Sequence, residues 1–201
     1  LIAVIDYDAG NIKSVEKALE FLGASVTVTR DPQVLLSADK VILPGVGAFG
    51  DAMGRLNEYG LVDVINKIVD KKTPFLGICL GLQLLFDSSE EAPGVKGLGI
   101  LPGKIVRFSD SHGLKIPQIG WNALSFTGDC PLFRDVKEGS FVYFVHSYYL
   151  KAENESDVAA TTVYGDFVHA AVHRDNVYAC QFHPEKSSSV GLKMLKNFID
   201  L

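Results

Sequence analysis

The first half of the chain alternates short apolar runs with longer segments of helical period, and this restricts the fold more than any other feature. Leu1 to Ile5 is apolar throughout, as a strand buried on both faces must be. Asn11 to Leu22 then sets Ile12, Val15, Leu19 and Leu22 close to a helical repeat, and Gly23 follows as a stop. Ser25 to Thr29 is short and β-branched. Asp31-Pro32 begins a turn or a helix, and Lys40 to Leu43 is a further strand ended by Pro44-Gly45. Leu61 to Val69 is helical through Leu61, Val64, Ile65 and Ile68. Pro74 to Ile78 is a strand, and Leu80 to Phe86 runs on as a helix. Strands and helices in this order join by right-handed crossovers, so an α/β fold with a mostly parallel central sheet flanked by helices is expected.

The second half reads differently. Ile105-Phe108, Asn122-Phe126, Phe141-Tyr149, Val158-Tyr164, Phe167-Val172 and Tyr178-Phe182 are strand-like with few helices between them. An antiparallel section added to the parallel core is expected. The chain ends in a helix from about Ser189 to Ile199, with Val190, Leu192, Leu195, Phe198 and Ile199 on its apolar face. With 201 residues, 47% of them hydrophobic, the chain can bury one sizeable core, and residues 1–201 are expected to form one domain.

Composition narrows the function classes. The formal net charge is −5 and no stretch concentrates Lys and Arg, which argues against nucleic acid as partner. No apolar run is long enough to span a membrane. The start LIAVIDYDAG lacks the basic region of a signal peptide and is read as a first strand of a cytoplasmic protein. Three widely spaced cysteines, Cys79, Cys130 and Cys180, fit neither a disulfide framework nor a zinc site, so no metal and no cofactor are expected. At least one cysteine is then free to serve by its reactivity.

Gly77-Ile78-Cys79-Leu80-Gly81 stands between an apolar strand and an apolar helix. This is the G-x-nucleophile-x-G pattern of a sharp strand-to-helix turn. Glycines on either side avoid a clash with neighbouring backbone, and the helix N-terminus favours a thiolate. Read alone, the segment also fits a core Cys in a turn. A thiolate needs a proton carrier. Of five histidines, His183 sits in Gln181-Phe182-His183-Pro184-Glu185 at the end of a strand-like run. Pro184 keeps His183 extended, and residues two apart in extended chain point the same way, so Glu185 can orient the ring. Leu43 to Gly50 carries Gly45 and Gly47 after a strand. A tetrahedral intermediate needs backbone donors, which Leu80 and the loop near Val46 or Gly47 can supply. A phosphate-cradling loop would need the missing Lys-Ser/Thr.

Together these motifs resemble the class I (triad) glutamine amidotransferases over nearly the whole chain. The likeness rests on Pro44-Gly45-Val46-Gly47, Gly77-Ile78-Cys79-Leu80-Gly81-Leu82-Gln83 and Gln181-Phe182-His183-Pro184-Glu185-Lys186-Ser187. The resemblance implies that Cys79 attacks a glutamine carboxamide, His183 moves the protons and Glu185 holds His183. It implies an oxyanion hole at Val46 and Leu80, and glutamine contacts at Gly47, Gln83, Ser147 and Tyr148. Within the class the chain is similar to the glutaminase subunits of imidazole glycerol phosphate synthases of histidine biosynthesis. Asp8-Ala9-Gly10-Asn11-Ile12, Pro44 to Phe49, Glu91 to Leu98, Ile119-Gly120-Trp121-Asn122 and Tyr143 to Tyr149 carry that closer match. Some relatives have Thr where Ser147 stands, and both supply a hydroxyl. The resemblance implies a heterodimer with a (β/α)₈ barrel cyclase subunit that receives the ammonia, with Asn11, Trp121, Tyr143 and Lys186 at the interface. Trp121 as a core residue stays open. So do a glutaminase for another synthase, a non-catalytic interaction module and a cysteine hydrolase on a related fold.

Overall fold

The computed structural model describes residues 1–201. Strand β1 (Ile2–Ile5) lies between β2 (Val26–Thr29) and β3 (Lys40–Leu43) and runs parallel to both. β4 (Phe75–Ile78) pairs parallel with β3. The crossovers are α1 (Ile12–Phe21), α2 (Pro32–Ser37), α3 (Phe49–Glu58) and α4 (Leu61–Asp70), and a short α5 (Leu80–Leu84) follows β4. The chain closes with α6 (Ser188–Ile199).

Side-chain alternation along each strand decides which helix packs where. Ile2 and Val4 of β1 join Ile42 and Leu76 in the core under α1 and α6, with Val15, Leu19, Leu195 and Phe198. Ala3 and Ile5 point the other way, with Val41, Leu43 and Phe75, into the core under α2, α3 and α4. These strands are buried on both faces, which is why they read as continuous apolar runs. Leu35 of α2, Phe49 and Leu56 of α3, and Leu61 and Ile65 of α4 are fully buried.

The remaining strands are β5 (Ser88–Ser89), β6 (Gly103–Arg107), β7 (Gln118–Ala123), β8 (Ser125–Phe126), β9 (Phe141–His146), β10 (Tyr148–Ala152), β11 (Val158–Tyr164), β12 (Asp166–Arg174) and β13 (Val177–Cys180). The eleven-stranded sheet runs β2-β1-β3-β4-β13-β12-β10-β6-β5, with β11 and β8 branching from β12. β13 returns parallel to β4, setting Cys180 opposite Ile78. From β13 the sheet turns antiparallel through β12, β10 and β6. No helix is long and apolar enough to cross a membrane.

Three readings of the sequence need correction. Helix α3 was not expected, because Gly50 and Gly54 weaken its propensity; Phe49, Ala52, Met53 and Leu56 nonetheless give it a buried face. Phe141-Tyr149 is not one strand. It breaks at Ser147, with β9 pairing only with β7 in a separate two-stranded ribbon and β10 entering the main sheet. The strand expected at Asn122-Phe126 begins earlier, at Gln118, and stops at Ala123 before a short β8.

The turn after β4 is fixed by backbone contact. A Cβ on Gly81 would lie 1.9 Å from the Leu43 carbonyl oxygen, and one on Gly77 would lie 2.7 Å from the Gly81 carbonyl oxygen. Gly54, in the middle of α3, has nothing within 4 Å of such a Cβ. Gly81→Ala should therefore lower unfolding stability by about 3 kcal/mol or more. Gly54→Ala should raise it by roughly 0.5–1 kcal/mol. Denaturant midpoints of the two variants test the contrast, and equal midpoints would mean that the β3–α5 approach is not the constraint.

Candidate active site

Three loops meet at the C-terminal edge of the parallel strands, where α/β sheets place their ligands. They follow β3, β4 and β13, and β4 is the middle strand of the three. Cys79 caps β4 with φ 55° and ψ −107°, a conformation that costs a non-glycine residue free energy. Its N–H donates to the Cys180 carbonyl at 2.8 Å. The Leu82 N–H donates back to the Cys79 carbonyl at 3.0 Å. The residue is tied on both sides, and its side chain, 6% exposed, lines a cavity of about 230 Å³.

His183 arrives three residues beyond Cys180. Its backbone is extended, with φ −102° and ψ 97°, as the following proline requires, and its N–H donates to the Tyr143 carbonyl at 2.9 Å. Nδ1 lies 2.7 Å from Glu185 Oε1, and both side chains are fully buried. The pairing is the expected one but the route differs. Pro184–Lys186 is a 3₁₀ turn rather than extended chain, so the turn brings Glu185 back to the ring. Ser187 pins this turn by donating to the His183 carbonyl at 2.6 Å and accepting from the Tyr143 N–H at 3.0 Å. Burial alone would depress the His183 pKa. The Cys79 sulfur and the Glu185 carboxylate outweigh burial and lift it to about 9. Nδ1 is taken by Glu185, which leaves Nε2 as the nitrogen through which the ring can exchange a proton with the sulfur.

In the loop after β3, the Tyr7 hydroxyl donates to the Pro44 carbonyl at 2.6 Å, and a Cβ on Gly45 would strike that hydroxyl at 2.0 Å. Gly47 has φ 119°, which a side chain would resist. The Leu80 N–H differs from expectation: it donates to the Gly45 carbonyl at 3.2 Å and is not free. A trans peptide points its C=O and N–H in opposite directions. With the Gly45 carbonyl aimed at Leu80, the Val46 N–H of the same peptide faces away, so this conformation presents no two-donor oxyanion hole.

Gly47, Gln83, Ser147 and Tyr148 all line the cavity, together with Val46, Leu80, Glu91, Val145 and His146. Gln83 Nε2 is committed, donating to the Tyr148 carbonyl at 3.1 Å and to Gln181 Oε1 at 3.0 Å. Glu91 and His146 were not singled out from the sequence. The Glu91 carboxylate accepts from the Phe49 N–H at 2.8 Å, at the start of α3, and so reaches the cavity from a distant loop that entered the family resemblance without a role for this residue. The residues expected at an interface form one connected patch. Asn11 Nδ2 donates to Glu185 Oε1, Tyr143 backbone holds His183, the Trp121 and Tyr143 rings meet edge-on at 6.0 Å, and Lys186 is exposed. Trp121 is 51% exposed, which removes the core reading. Cys130 and Cys180 are buried, as core packing requires.

The family model for glutamine amidotransferase class-I matches residues 3–201. The chain belongs to that family. A relative from Gloeobacter violaceus, named imidazole glycerol phosphate synthase subunit HisH, is 53% identical over 99% of this chain and 88% of its own length. One of the same name from Syntrophotalea carbinolica is 52% identical, with both chains fully covered. The structure of PurLQS from Thermotoga maritima superposes with a TM-score of 0.76 at 22% identity, covering 99% of this chain and 97% of that one, and shares the fold. The class I amidotransferase architecture thus takes the expected form, a mostly parallel sheet with an antiparallel section.

His146 gives this amidotransferase a pH-sensitive core. Burial pushes it down to about 4, against the raising effect of its contact with the Tyr148 carbonyl. His146 Nδ1 lies 2.8 Å from that carbonyl and Nε2 lies 2.9 Å from Gln118 Oε1; a neutral ring that donates from Nδ1 accepts at Nε2, so its bond with Gln118 requires that carboxamide to be turned end for end. The unfolded chain binds this proton below about pH 6.5, while the folded chain resists it until about pH 4. The stabilisation is therefore present above pH 6.5 and is lost as pH falls toward 4, by up to about 3 kcal/mol. Unfolding curves and the His146 ring resonances between pH 8 and 4.5 test this. A ring that titrates near 6.5 would contradict it.

Proposed function

We propose that residues 1–201 act as one glutaminase domain, the ammonia-producing subunit of an imidazole glycerol phosphate synthase working in the cytoplasm. The observation that carries the reading is that Cys79, which lines a cavity with Gln83, Ser147 and Tyr148, acts directly on the imidazole of the buried His183–Glu185 pair. In this mechanism the Cys79 sulfur attacks the side-chain carboxamide of glutamine. A C–S bond forms, and His183 Nε2 hands a proton to the leaving nitrogen as the C–N bond breaks. Water, deprotonated by the same nitrogen, then attacks the thioester carbonyl and releases glutamate. Glu185 keeps the ring oriented and stabilises its charge. Glu91 supplies a carboxylate for the α-ammonium of the substrate.

The oxyanion hole has to be made. Turning one peptide, Gly45–Val46, withdraws the carbonyl from Leu80 and points the Val46 N–H inward. Both donors become available in a single movement. A resting chain with the peptide unturned hydrolyses glutamine slowly, which suits a glutaminase whose product is wasted unless an acceptor is ready. Ammonia is mostly ammonium at neutral pH, so transfer through a water-excluding passage protects it. The acceptor is a (β/α)₈ barrel cyclase subunit that makes imidazole glycerol phosphate and an aminoimidazole carboxamide ribotide. It docks on the patch of Asn11, Trp121, Tyr143 and Lys186, where Trp121 supplies an exposed aromatic anchor. Nearly full-length identity of about half to subunits of that name supports this partner over that of another synthase.

Glutamine hydrolysis with and without the candidate barrel subunit tests the reading. Activity should be low alone and rise when the partner is bound and occupied. Cys79→Ala should remove at least about 10³-fold of it. Val46→Pro, which has no N–H to turn inward, should lower kcat by about 10²-fold with KM little changed. Full activity in Val46→Pro would exclude Val46 as a donor. Peptide hydrolysis without glutamine hydrolysis would point instead to a cysteine hydrolase.

A further inference from the structure

Gln181 has no part in the mechanism above, yet its carboxamide is fully buried beside the reacting sulfur. Burying a carboxamide is costly unless both its ends are paired. Here the partners are Gln83 Nε2, 3.0 Å from Gln181 Oε1, and Cys79 Sγ, 3.7 Å from Gln181 Nε2.

Which end faces the sulfur decides what Gln181 can do. A carboxamide can be turned end for end, so the assignment must be anchored on a group that cannot turn. The Tyr148 backbone carbonyl is that group, because it only accepts. It lies 3.1 Å from the Gln83 side chain, so this end of Gln83 is the amide nitrogen. The same nitrogen lies 3.0 Å from Gln181, which must meet it with its carbonyl oxygen. The Gln181 amide nitrogen is thereby left facing Cys79. Polarity passes from a fixed carbonyl, through two carboxamides, to the nucleophile.

We infer that Gln181 is a fourth catalytic group, an N–H donor that holds the Cys79 sulfur in its anionic form. The inference rests on the reading of Cys79 as the nucleophile. An N–H bonds a thiolate more strongly than a thiol or a thioester sulfur, because the acceptor carries the charge. The donor therefore favours the anion before attack. It favours it again when the sulfur leaves the second tetrahedral intermediate. The clamp from Gln83 keeps the amide from turning its oxygen to the sulfur, so a residue of the substrate cavity also sets the state of the nucleophile.

The pH dependence of Cys79 alkylation by iodoacetamide, followed by mass spectrometry of the Cys79 peptide, tests this without glutamine. In Gln181→Met, which keeps the length but lacks the N–H, the alkylation midpoint should move up by about one pH unit. In Gln181→Glu, which keeps the shape but brings a carboxylate, it should move further. Glutamine kcat should fall by about 10-fold or more while KM changes little. Wild-type alkylation profiles in folded variants would overturn the inference. Where a variant fails to fold, the unaltered chain decides: methylthiolation of Cys79 should shift the Gln181 side-chain amide protons in NMR spectra, and unmoved protons would refute the bond. A chain that alkylates as expected but does not hydrolyse glutamine would defeat the proposed function and leave the role of Gln181 standing.

Discussion

The parallel pairing of β13 with β4 is the constraint on which the site depends. Cys180 lies opposite Ile78, and the Cys79 N–H donates to the Cys180 carbonyl at 2.8 Å. Each strand then delivers its next residues to the same edge: Cys79 from one, and Gln181, His183 and Glu185 from the other. Because side chains alternate along a strand, a slip of one residue in this pairing would move these groups relative to one another and reverse the faces of Tyr178 and Cys180. The buried alternation of β13 between the two cores holds the register: Val177 and Ala179 pack on one side, Tyr178 and Cys180 on the other. The geometry of the candidate site is thus fixed by hydrophobic packing well below it.

Strain and close approach complete the arrangement. Cys79 holds a positive φ that costs free energy on the order of 1–3 kcal/mol, which the surrounding hydrogen bonds must offset. The turn exists only because Gly77 and Gly81 lack side chains where backbone atoms of α5 and β3 pass. The contact between Gly81 and the Leu43 carbonyl also locks α5 against the strand that leads into the Gly45–Gly47 loop. Cys79 and the loop opposite it are therefore positioned by the same contact, and the Leu80 N–H bond to the Gly45 carbonyl joins the loop to the elbow.

The sequence was most legible where one chemical demand acts on neighbouring residues. The glycines around Cys79 and the proline after His183 announce backbone conformations that few other residues tolerate. Strands β1, β3 and β4 were legible because burial on both faces leaves only apolar residues. Helix α3 was not, since its glycines mask a face carried by Phe49, Ala52, Met53 and Leu56. The break at Ser147 was hidden because β9 and β10 are alike in composition and differ only in what they pair with. Glu185 was placed correctly beside His183 for an incomplete reason, as extended chain rather than a 3₁₀ turn. The occupied Leu80 N–H is a conformational fact, and no residue type encodes it.

Gln181 shows why the last layer of a site escapes pattern reading. A carboxamide has no charge to betray it and no fixed orientation of its own. Its direction is set by the Tyr148 carbonyl two hydrogen bonds away, and that carbonyl also accepts from His146. His146 in turn is joined to Gln118, on the ribbon strand that bears the exposed Trp121. A proton on His146 would leave the Tyr148 contact in place but demand an acceptor at Gln118, turning that carboxamide over. The depressed pKa of His146 fixes the sense of the contact with Gln118, while the Tyr148 carbonyl, an acceptor in either state, fixes the sense of the bonds that run through Gln83 and Gln181 to the sulfur. The hydrogen-bond order beside Cys79 is thus anchored on a backbone group that cannot titrate, and only the ribbon end of the network responds to the charge of the buried histidine.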